Sequence, residues 1–235
     1  MMDTMFPEVK GRFGFGCMRL PMAGEEVDLE RFAAMTDRFL EAGYNYFDTA
    51  HGYISEKSET AIRACLTSRH PRESYILTDK LSGNYFEKEA DIRPLFQCQL
   101  AACGVEYFDF YLLHAMAAAW YDHYTGCRAF EIVQELKAEG KIRHVGMSFH
   151  DTAEVLDRIL TDHPELEVVQ LQFNYLDFDD PKVQSRACYE VCVKHSKPVI
   201  VMEPVKGGKL ADPPQAARAE LAALGSPLYA LALRH

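Results

Sequence analysis

The sequence predicts an α/β fold in which parallel strands are connected by helices. Short apolar segments of strand length alternate with segments of helical periodicity along the whole chain, which is the pattern of repeated strand-helix units. With 235 residues, the chain has the length of one α/β barrel and is short for two ordinary domains. We therefore expect one hydrophobic core built on a parallel sheet.

Seven segments have the length and apolar content of buried strands. The first is rich in glycine and the second is rich in aromatic residues. In chain order the predicted strands cover residues 11–18, 44–48, 73–80, 107–114, 141–148, 166–171 and 198–202. Because a closed barrel of this type needs eight strand-helix units, we expect an incomplete barrel whose eighth strand is missing.

Capping and helix-ending residues mark the helices between the first four strands. Asp28 caps the first helix and Gly43 ends it. Residues 58–66 form the second helix. We place the first turn of the third helix at Pro94, because proline is favoured at the first helical position, and its end at Gly104.

The second half of the chain contains a predicted loop and four further helices. Residues 115–124 are expected to form the loop, and Gly140 ends the helix that follows it. Asp151 and Glu154 predict a capping box at the start of the next helix. Pro181 is expected at the first position of a later helix, and a stretch rich in Ala and Leu runs to the end of the chain.

Three of the predicted strands end in polar residues. A buried strand does not easily carry a charge in its middle, so Asp48, Lys80 and His114 are expected at the carboxyl ends of their strands. Tyr53 follows Asp48 by five residues. If the strands are parallel neighbours, an acid, a phenol, an ammonium group and an imidazole meet at one end of the sheet.

These residues resemble the catalytic tetrad of the aldo-keto reductase family. That family carries an Asp-Thr-Ala-x-x-Tyr segment, a lysine after its third strand and a Leu-Leu-His after its fourth. Residues 48–53, Lys80 and residues 112–114 match these motifs in the same order. The resemblance covers nearly the whole chain and implies a single (β/α)8 barrel domain of the TIM type over residues 1–235, truncated at its C-terminus.

Three later segments look most like the branch of the family whose longer members carry an iron-sulfur tail. These segments are residues 146–148, 170–175 and 202–210. The seven scattered cysteines are typical of reduced thiols in a cytosolic protein, and Cys188 and Cys192 are expected to pack within a helix. We therefore expect neither a metal site nor an iron-sulfur ligand set within this chain.

The resemblance implies that an aldehyde or ketone is reduced to an alcohol with a hydride from a nicotinamide cofactor. Tyr53 would donate the proton as general acid, and the charge of Lys80 would lower the pKa of Tyr53. Asp48 would keep Lys80 charged. His114 would form a hydrogen bond with the substrate carbonyl.

The resemblance also implies a set of residues that bind the cofactor. Ser148 and Gln170 would hold the nicotinamide carboxamide, and Gly207 would allow the backbone to approach the pyrophosphate. Lys206 or Lys209 would pair with that pyrophosphate. The whole implied set is Ser148, His150, Gln170, Met202, Pro204, Lys206, Gly207 and Gly208. We expect NADP(H) rather than NAD(H).

The composition excludes several classes of partner. A net charge of −10 argues against a nucleic-acid partner and a basic membrane patch, and no apolar run approaches the ~18 residues of a spanning helix. We expect a cytoplasmic protein whose partner is a small carbonyl compound. Trp120 and Tyr121 are expected to line its pocket. The oligomeric state is left open.

Three alternatives to an active reductase are compatible with the sequence. The chain would also suit a nicotinamide-binding sensor or regulatory subunit, which keeps the tetrad without turnover, or an inactive truncated remnant. A metal-dependent barrel hydrolase is a further alternative, with ligands drawn from Asp48, His51, His114 and His150. Lys80 argues against it, because an ammonium group would repel a cation placed among these residues.

Overall fold

The computed structural model describes residues 6–234, and its main feature is a seven-stranded sheet whose strands follow the order of the chain. The strands are β1 (Gly14–Gly16), β2 (Tyr46–Asp48), β3 (Ile76–Ser82), β4 (Phe108–Met116), β5 (Ile142–Phe149), β6 (Val168–Gln172) and β7 (Val199–Met202). The pairs β1 with β2, β2 with β3, β3 with β4 and β6 with β7 are parallel. The prediction of seven parallel strands is therefore confirmed.

Helices connect the strands of the sheet. They are α1 (Leu29–Glu41), α2 (Lys57–Ile62), α3 (Glu89–Cys103), α4 (Ala118–Gly126), α5 (Ala129–Ala138), α6 (Ala153–Asp162), α7 (Ser185–Lys194), α8 (Gln215–Ala222) and α9 (Leu228–Arg234). A π-helical turn over Arg63–Thr67 continues α2 directly. A short antiparallel hairpin pairs Met22–Ala23 with Glu26–Val27. Within residues 6–234, no helix is both long and apolar enough to cross a membrane.

The chain divides into two compact units. Within residues 6–234, the first comprises residues 6–115 and Ala119–Met147, and the second comprises Met116–Ala118 and residues 148–234. In the first unit, the rings of Phe15, Phe39 and Phe47 lie with their centroids 5.1 to 5.6 Å apart. Phe47 is fully buried. This aromatic core anchors β2 at the residue that precedes Asp48.

A buried carboxylate in the first unit ties together the amino ends of three strands. Asp109 on β4 is fully buried and accepts hydrogen bonds from Arg72 over 2.6 Å, from Arg143 over 2.9 Å and from the backbone N–H of Leu77 over 2.8 Å. Both guanidinium groups stack on the ring of Tyr107. Because Asp109 is paired and hydrogen-bonded, its burial is compatible with a stable fold.

The second unit contains the parallel pair β6 and β7. Gln170 is paired in register with Ile200, and Gln172 is paired with Met202. Helices α6 and α7 pack against each other, and His195, which directly follows α7, lies 2.6 Å from the carboxylate of Asp157 in α6. Gln172 is the last residue of β6, and Gln170 lies in its middle.

Helix α3 begins before the proline at which its start was predicted, so that prediction is wrong. The helix starts at Glu89, and Pro94 lies inside it. Asp91 organises the first turn by accepting the backbone N–H groups of Glu87 over 3.1 Å and Lys88 over 3.2 Å. Pro94 follows close to this capped end, where its missing N–H group removes only one intrahelical bond.

The segment 115–124, predicted as a loop, contains most of helix α4 instead. Tyr121 and Tyr124, three residues apart, are both buried on one face of that helix. The hydroxyl group of Tyr124 donates to the backbone carbonyls of Leu81 and His114, at 2.7 and 2.9 Å. The pattern of two buried aromatics at helical spacing overrides the alanine-rich, loop-like composition.

Two predicted helix starts in the second unit are also wrong. The Asp151 and Glu154 capping box is absent from α6, whose N-cap residue Thr152 makes no side-chain capping bond. Asp151 instead accepts the N–H groups of Thr152 over 2.7 Å and Ala118 over 2.8 Å, so its carboxylate is already engaged.

Pro181 is the second of these cases, because α7 begins at Ser185 rather than at the proline. The residues between them form a turn instead of a helix. Asp180 accepts the N–H groups of Lys182 over 2.8 Å and Val183 over 3.2 Å, which closes that turn.

Candidate active site

The carboxyl end of β2 places an acid beside its neighbouring strands. Asp48 is the last residue of β2 and pairs in register with Gly16 on β1 and Thr78 on β3. The loop that follows turns back so that Tyr53 lies close to this strand end, with its N–H bonded to the carbonyl of Ala50 over 3.0 Å. The predicted position of Asp48 at the end of its strand is confirmed.

Lys80 is fully buried, and its ammonium group makes three hydrogen bonds. Nζ donates to Asp48 Oδ1 over 2.6 Å, to the backbone carbonyl of Thr49 over 2.7 Å and to the hydroxyl oxygen of Tyr53 over 3.1 Å. All three N–H donors of the ammonium group are therefore satisfied. Lys80 lies two residues before the end of β3, because the pairing with β4 continues to Ser82.

The surroundings of Lys80 keep it charged. Burial acts to lower the pKa of Lys80, but the negative charge of Asp48, the phenol of Tyr53 and the hydrogen bonds to both outweigh it. The pKa of Lys80 therefore lies above its ordinary value. A fixed positive charge stands 3.1 Å from the Tyr53 oxygen.

Burial and the charge of Lys80 act on the pKa of Tyr53 in opposite directions. Burial of the phenol raises its pKa above the ordinary value, and the charge of Lys80 lowers it, as expected, without cancelling that rise. The pKa of Tyr53 therefore stays above its ordinary value. The phenol holds its proton at neutral pH and can act as a donor.

His114 stands beside Tyr53, on the next strand. Their ring centroids are 5.9 Å apart and their ring planes meet at 77°. The Nδ1 atom of His114 lies 2.5 Å from the Oγ atom of Ser82, its partner in the strand register. The structure thus brings together all four predicted tetrad residues, and it adds Ser82, which the sequence analysis missed.

A second buried cluster lies behind Lys80 and was also missed. Asp79 is fully buried, is hydrogen-bonded to the carboxyl group of Glu59, and accepts the backbone N–H of Lys80 over 2.8 Å. Burial and the charge of Glu59 raise the pKa of Asp79 well above its ordinary value. Glu59 is held in turn by His51 Nδ1, at 3.0 Å, and His51 has a raised pKa because of that bond. Two acids separated by twenty residues gave no sequence signal of this pairing.

The implied nicotinamide residues lie in the second unit. Ser148 is almost fully buried in β5, next to its last residue. Gln170 is also buried, in the middle of β6. His150 follows β5, is exposed, and donates its backbone N–H to the carbonyl of Met116 over 3.0 Å. Met202 ends β7. A buried hydroxyl and a buried amide have the donor and acceptor groups that a carboxamide needs.

The segment after β7 forms a glycine-containing turn. Pro204 precedes a 3-10 turn over Lys206–Gly208, in which Gly207 and Gly208 have φ values of +63° and +96°. Nothing lies within 4 Å of the position that a Cβ atom on Gly208 would take. The backbone is therefore open to close approach at this position.

The ammonium group of Lys206 is hydrogen-bonded to Asp177 within the second unit. Asp177 is buried, and it also accepts hydrogen bonds from Gln172 and Asn174, each over 2.6 Å. Burial acts to raise the pKa of Asp177, but the bonds from Lys206 and the two amides lower it overall. Lys206 thus belongs to an internal network, whereas Lys209 is exposed.

The two aromatic residues expected in the substrate pocket differ in exposure. Trp120 is 38% exposed and Tyr121 only 7%. Tyr121 packs against Phe130 with a centroid distance of 6.0 Å. A Cβ atom on Gly83 would come within 2.8 Å of the Trp120 ring, so glycine is needed for Trp120 to lie against the end of β3. Of the two aromatic rings, Trp120 is therefore the one that a ligand could contact from solvent.

No cluster of three or more His, Cys, Asp or Glu side chains suited to a metal ion occurs in the described chain. The residues considered for the hydrolase alternative have other partners: Asp48 binds Lys80, His51 binds Glu59 and His114 binds Ser82. The seven cysteines form no disulfide. Cys188 and Cys192 are buried in α7, as predicted.

Sequence comparison relates the chain to known reductases. The sequence model described as the Aldo/keto reductase family matches residues 12–220. The NADH-specific methylglyoxal reductase of Escherichia coli (strain K12) is 27% identical over 204 residues, which are 78% of this chain and 60% of that protein. The NAD(P)H-dependent D-xylose reductase of Candida tenuis is 27% identical over 188 residues, or 66% of this chain and 55% of that protein. The chain thus spans 55 to 60% of the length of these two curated relatives.

Solved structures confirm the fold class. The aldo-keto reductase of Bacillus halodurans in its holo form has a TM-score of 0.76 and 26% identity, covering 94% of this chain and 76% of that one. An aldo-keto reductase of Klebsiella pneumoniae in complex with NADPH has a TM-score of 0.70 and 21% identity, covering 94% and 74%. The predicted incomplete (β/α)8 fold is confirmed, with seven of eight units among the described residues.

Proposed function

Because the chain belongs to the aldo/keto reductase family, we propose that it reduces an aldehyde or ketone to an alcohol with a nicotinamide cofactor, and that Tyr53 is the general acid. Membership of the family supports an oxidoreductase. The observation that carries the finer proposal is the contact of 3.1 Å between Lys80 Nζ and the Tyr53 oxygen. A partly buried, protonated phenol beside a fixed cation is suited to giving a proton to an oxygen that becomes an alkoxide.

Each member of the tetrad has a separate part in the proposed proton transfer. The cofactor, when bound, supplies the hydride. Tyr53 gives its proton to the carbonyl oxygen, and Lys80 stabilises the phenolate that remains. Asp48 keeps Lys80 charged through the bond of 2.6 Å. His114 orients the carbonyl by a hydrogen bond, and Trp120 and Tyr121 are the proposed pocket residues.

The cofactor residues fit a nicotinamide in their chemistry. We propose that Ser148, His150 and Gln170 hold the carboxamide and that Met202 and Pro204 line the same site. Buried polar side chains at Ser148 and Gln170 support the first assignment. For the pyrophosphate we propose the turn over Lys206–Gly208, supported by its open backbone at Gly208, with Lys209 as the exposed cation.

We propose NADP(H) as the cofactor in preference to NAD(H). The Klebsiella pneumoniae structure holds NADPH, which supports the proposal, and the Escherichia coli relative is NADH-specific, which opposes it. Parallel titrations with NADPH and NADH, followed by the fluorescence of the reduced nicotinamide, decide between them. Tighter binding of NADH would overturn the preference.

The wider setting of the protein is also a proposal. We propose a single domain of about seven strand-helix units that is completed by an eighth, supported by the unit count and by the 60% share of the first relative's length. The resemblance to the iron-sulfur branch rests on residues 146–148, 170–175 and 202–210 alone. A cytoplasmic location and a small-molecule partner complete the proposal.

Measured turnover tests the function against its alternatives. The protein is incubated with NADPH or NADH and a panel of aldehydes and ketones, and both cofactor oxidation and alcohol formation are followed. We expect stoichiometric alcohol and oxidised cofactor. Cofactor binding without any turnover would favour the sensor or regulatory subunit, and neither binding nor turnover would favour the inactive remnant.

A further inference from the structure

Ser82 and His114 face each other at the carboxyl ends of two paired strands. The strand register pairs the two residues, and Ser82 Oγ lies 2.5 Å from His114 Nδ1. Ser82 is 4% exposed, so water does not compete freely for its hydroxyl group. The Ser82 hydroxyl group is therefore bonded to Nδ1 of the imidazole and not to Nε2.

The hydrogen bonding of the serine fixes the direction of this bond. Among the described residues, Nδ1 of His114 is the one hydrogen-bond partner of the Ser82 hydroxyl group. If Nδ1 carried a proton, the hydroxyl oxygen would accept a hydrogen bond from the Nδ1–H group. The hydroxyl hydrogen would then be buried without an acceptor. Such an unsatisfied buried donor is destabilising. Donation from Ser82 to Nδ1 satisfies both groups.

We propose that Ser82 is a positioning residue that holds the imidazole of His114 in the tautomer with its proton on Nε2. When Nδ1 accepts a hydrogen bond, the neutral imidazole must carry its proton on the other nitrogen. An imidazolium ion would have a proton on Nδ1 as well, so the hydroxyl hydrogen of Ser82 would again be left without an acceptor. The serine thus selects one of three protonation states of His114.

One phenol is hydrogen-bonded to the backbone beside both partners. The Tyr124 hydroxyl group bridges two backbone carbonyls, one on β3 and one on β4. The first belongs to Leu81, the residue before Ser82, and the second belongs to His114 itself. Tyr124 is fully buried. The backbone at both ends of the Ser82 to His114 bond is therefore held by one phenol, so that the bond keeps its direction.

This tautomer deepens the proposed function and rests on it for its role in the reaction. With the proton on Nε2, His114 presents an N–H donor to the carbonyl oxygen that Tyr53 protonates. With the proton on Nδ1, Nε2 would be an acceptor and would repel that oxygen. For metal-ligating histidines, loss of the outer hydrogen-bond partner typically costs about 10–100-fold in activity, and we expect an effect of that order for Ser82.

The tautomer itself is measured by ¹⁵N NMR of the histidine rings in the whole protein without substrate. The His114 signals are assigned by comparison with the His114→Gln variant. We expect the wild-type protein to show a protonated Nε2 and an unprotonated Nδ1 at neutral pH. Ser82→Ala should lose this preference, Ser82→Thr should keep it, and Ser185→Ala, which removes another buried serine, should leave it unchanged.

Kinetics provide the second readout. Ser82→Ala is expected to lower kcat roughly 10–100-fold with a smaller change in KM, and Ser82→Thr should recover most of the loss because it restores the hydroxyl donor. Thermal unfolding of each variant confirms that it is folded. If Ser82→Ala does not fold, the wild-type tautomer alone still decides the proposal.

Three outcomes overturn the proposal: a wild-type His114 with its proton on Nδ1, a wild-type imidazolium at neutral pH, or a Ser82→Ala protein with the wild-type tautomer. Because the NMR experiment uses no substrate, it is independent of turnover. A correct tautomer in a protein without reductase activity would contradict the proposed function and leave the role of Ser82 in positioning His114 intact.

Discussion

Lys80 and Asp48 form an ion pair of 2.6 Å in which the lysine side chain has no exposure to solvent. The pair joins neighbouring strands β2 and β3, and Asp48 retains 14% exposure. Burying an ammonium group is costly unless it is paired and fully hydrogen-bonded, and both conditions hold here. The pair therefore places a permanent charge beside Tyr53 as well as stabilising the strand ends.

Lys80→Met tests this double role. The substitution leaves Asp48 partly buried without its partner, so the free energy of unfolding should fall by about 3–5 kcal/mol, and carbonyl reduction should be lost as well. Chemical denaturation and turnover measure the two effects. Lys194→Met is the matched control, because Lys194 is 63% exposed in its ion pair with Asp157 and should change neither quantity appreciably. A stable, active Lys80→Met protein would show that the charge is dispensable.

The buried acid Asp79 makes stability depend on pH. Its pKa in the folded protein lies above the unfolded value, because of burial and then of the Glu59 charge. Its contribution is therefore fully present below the unfolded carboxyl pKa and is lost as pH rises through the folded pKa. Asp79→Asn, which stays neutral and can still donate to Glu59, should remove this loss. Denaturation between pH 5 and pH 9 should show a flatter profile for the variant.

Asp109→Asn is the contrasting control for this pH dependence. Asp109 is equally buried but is paired with Arg72 and Arg143, so the same substitution removes a needed charge. It should lower the free energy of unfolding by about 3–5 kcal/mol at neutral pH. Equal responses of the two variants would contradict the assignment of Asp79 as a neutral acid.

The turn after Tyr53 stores backbone strain. Ile54, Ser55 and Glu56 have φ values of +53°, +53° and +68°, a conformation that residues other than glycine adopt at a cost of roughly 1–2 kcal/mol. Ser55 is exposed, so Ser55→Gly should raise the melting temperature by relieving strain without loss of packing. Ser68→Gly, at a φ of −81°, should lower it. A drop in both variants would show that the turn is unstrained.

Much of the fold and half of the site follow from local signals in the sequence. Asp48, Lys80 and His114 were predictable because charged or titratable residues are rare in buried strands. Asp28 was predictable as a helix cap, and it accepts the N–H of Arg31 over 3.0 Å. In each case the signal, a polar residue after an apolar strand or a capping residue before a helix, lies within a few residues along the chain.

The missed features depend on partners that are distant in sequence. Ser82 acts through a residue 32 positions away that only the strand register brings opposite it. Glu59 in α2 and Asp79 in β3 meet through a side-chain hydrogen bond between residues twenty positions apart. The start of α3 was misplaced because Asp91 caps the helix ahead of a proline whose own preference pointed further on. In these cases the partner of a side chain or the start of a helix is decided by tertiary contacts or by a competing cap, which the local sequence does not reveal.

The central claim is that Tyr53 donates the proton, and Tyr53→Phe tests it most directly. The variant removes one hydroxyl group, and turnover with a responsive aldehyde should fall by about 10²–10⁴ while the Kd of the reduced nicotinamide stays within a few-fold of wild type. Tyr85→Phe is the matched control, since that phenol lies beside His51 without contacting Lys80, and it should retain turnover. A Tyr53→Phe protein with wild-type turnover would contradict the account.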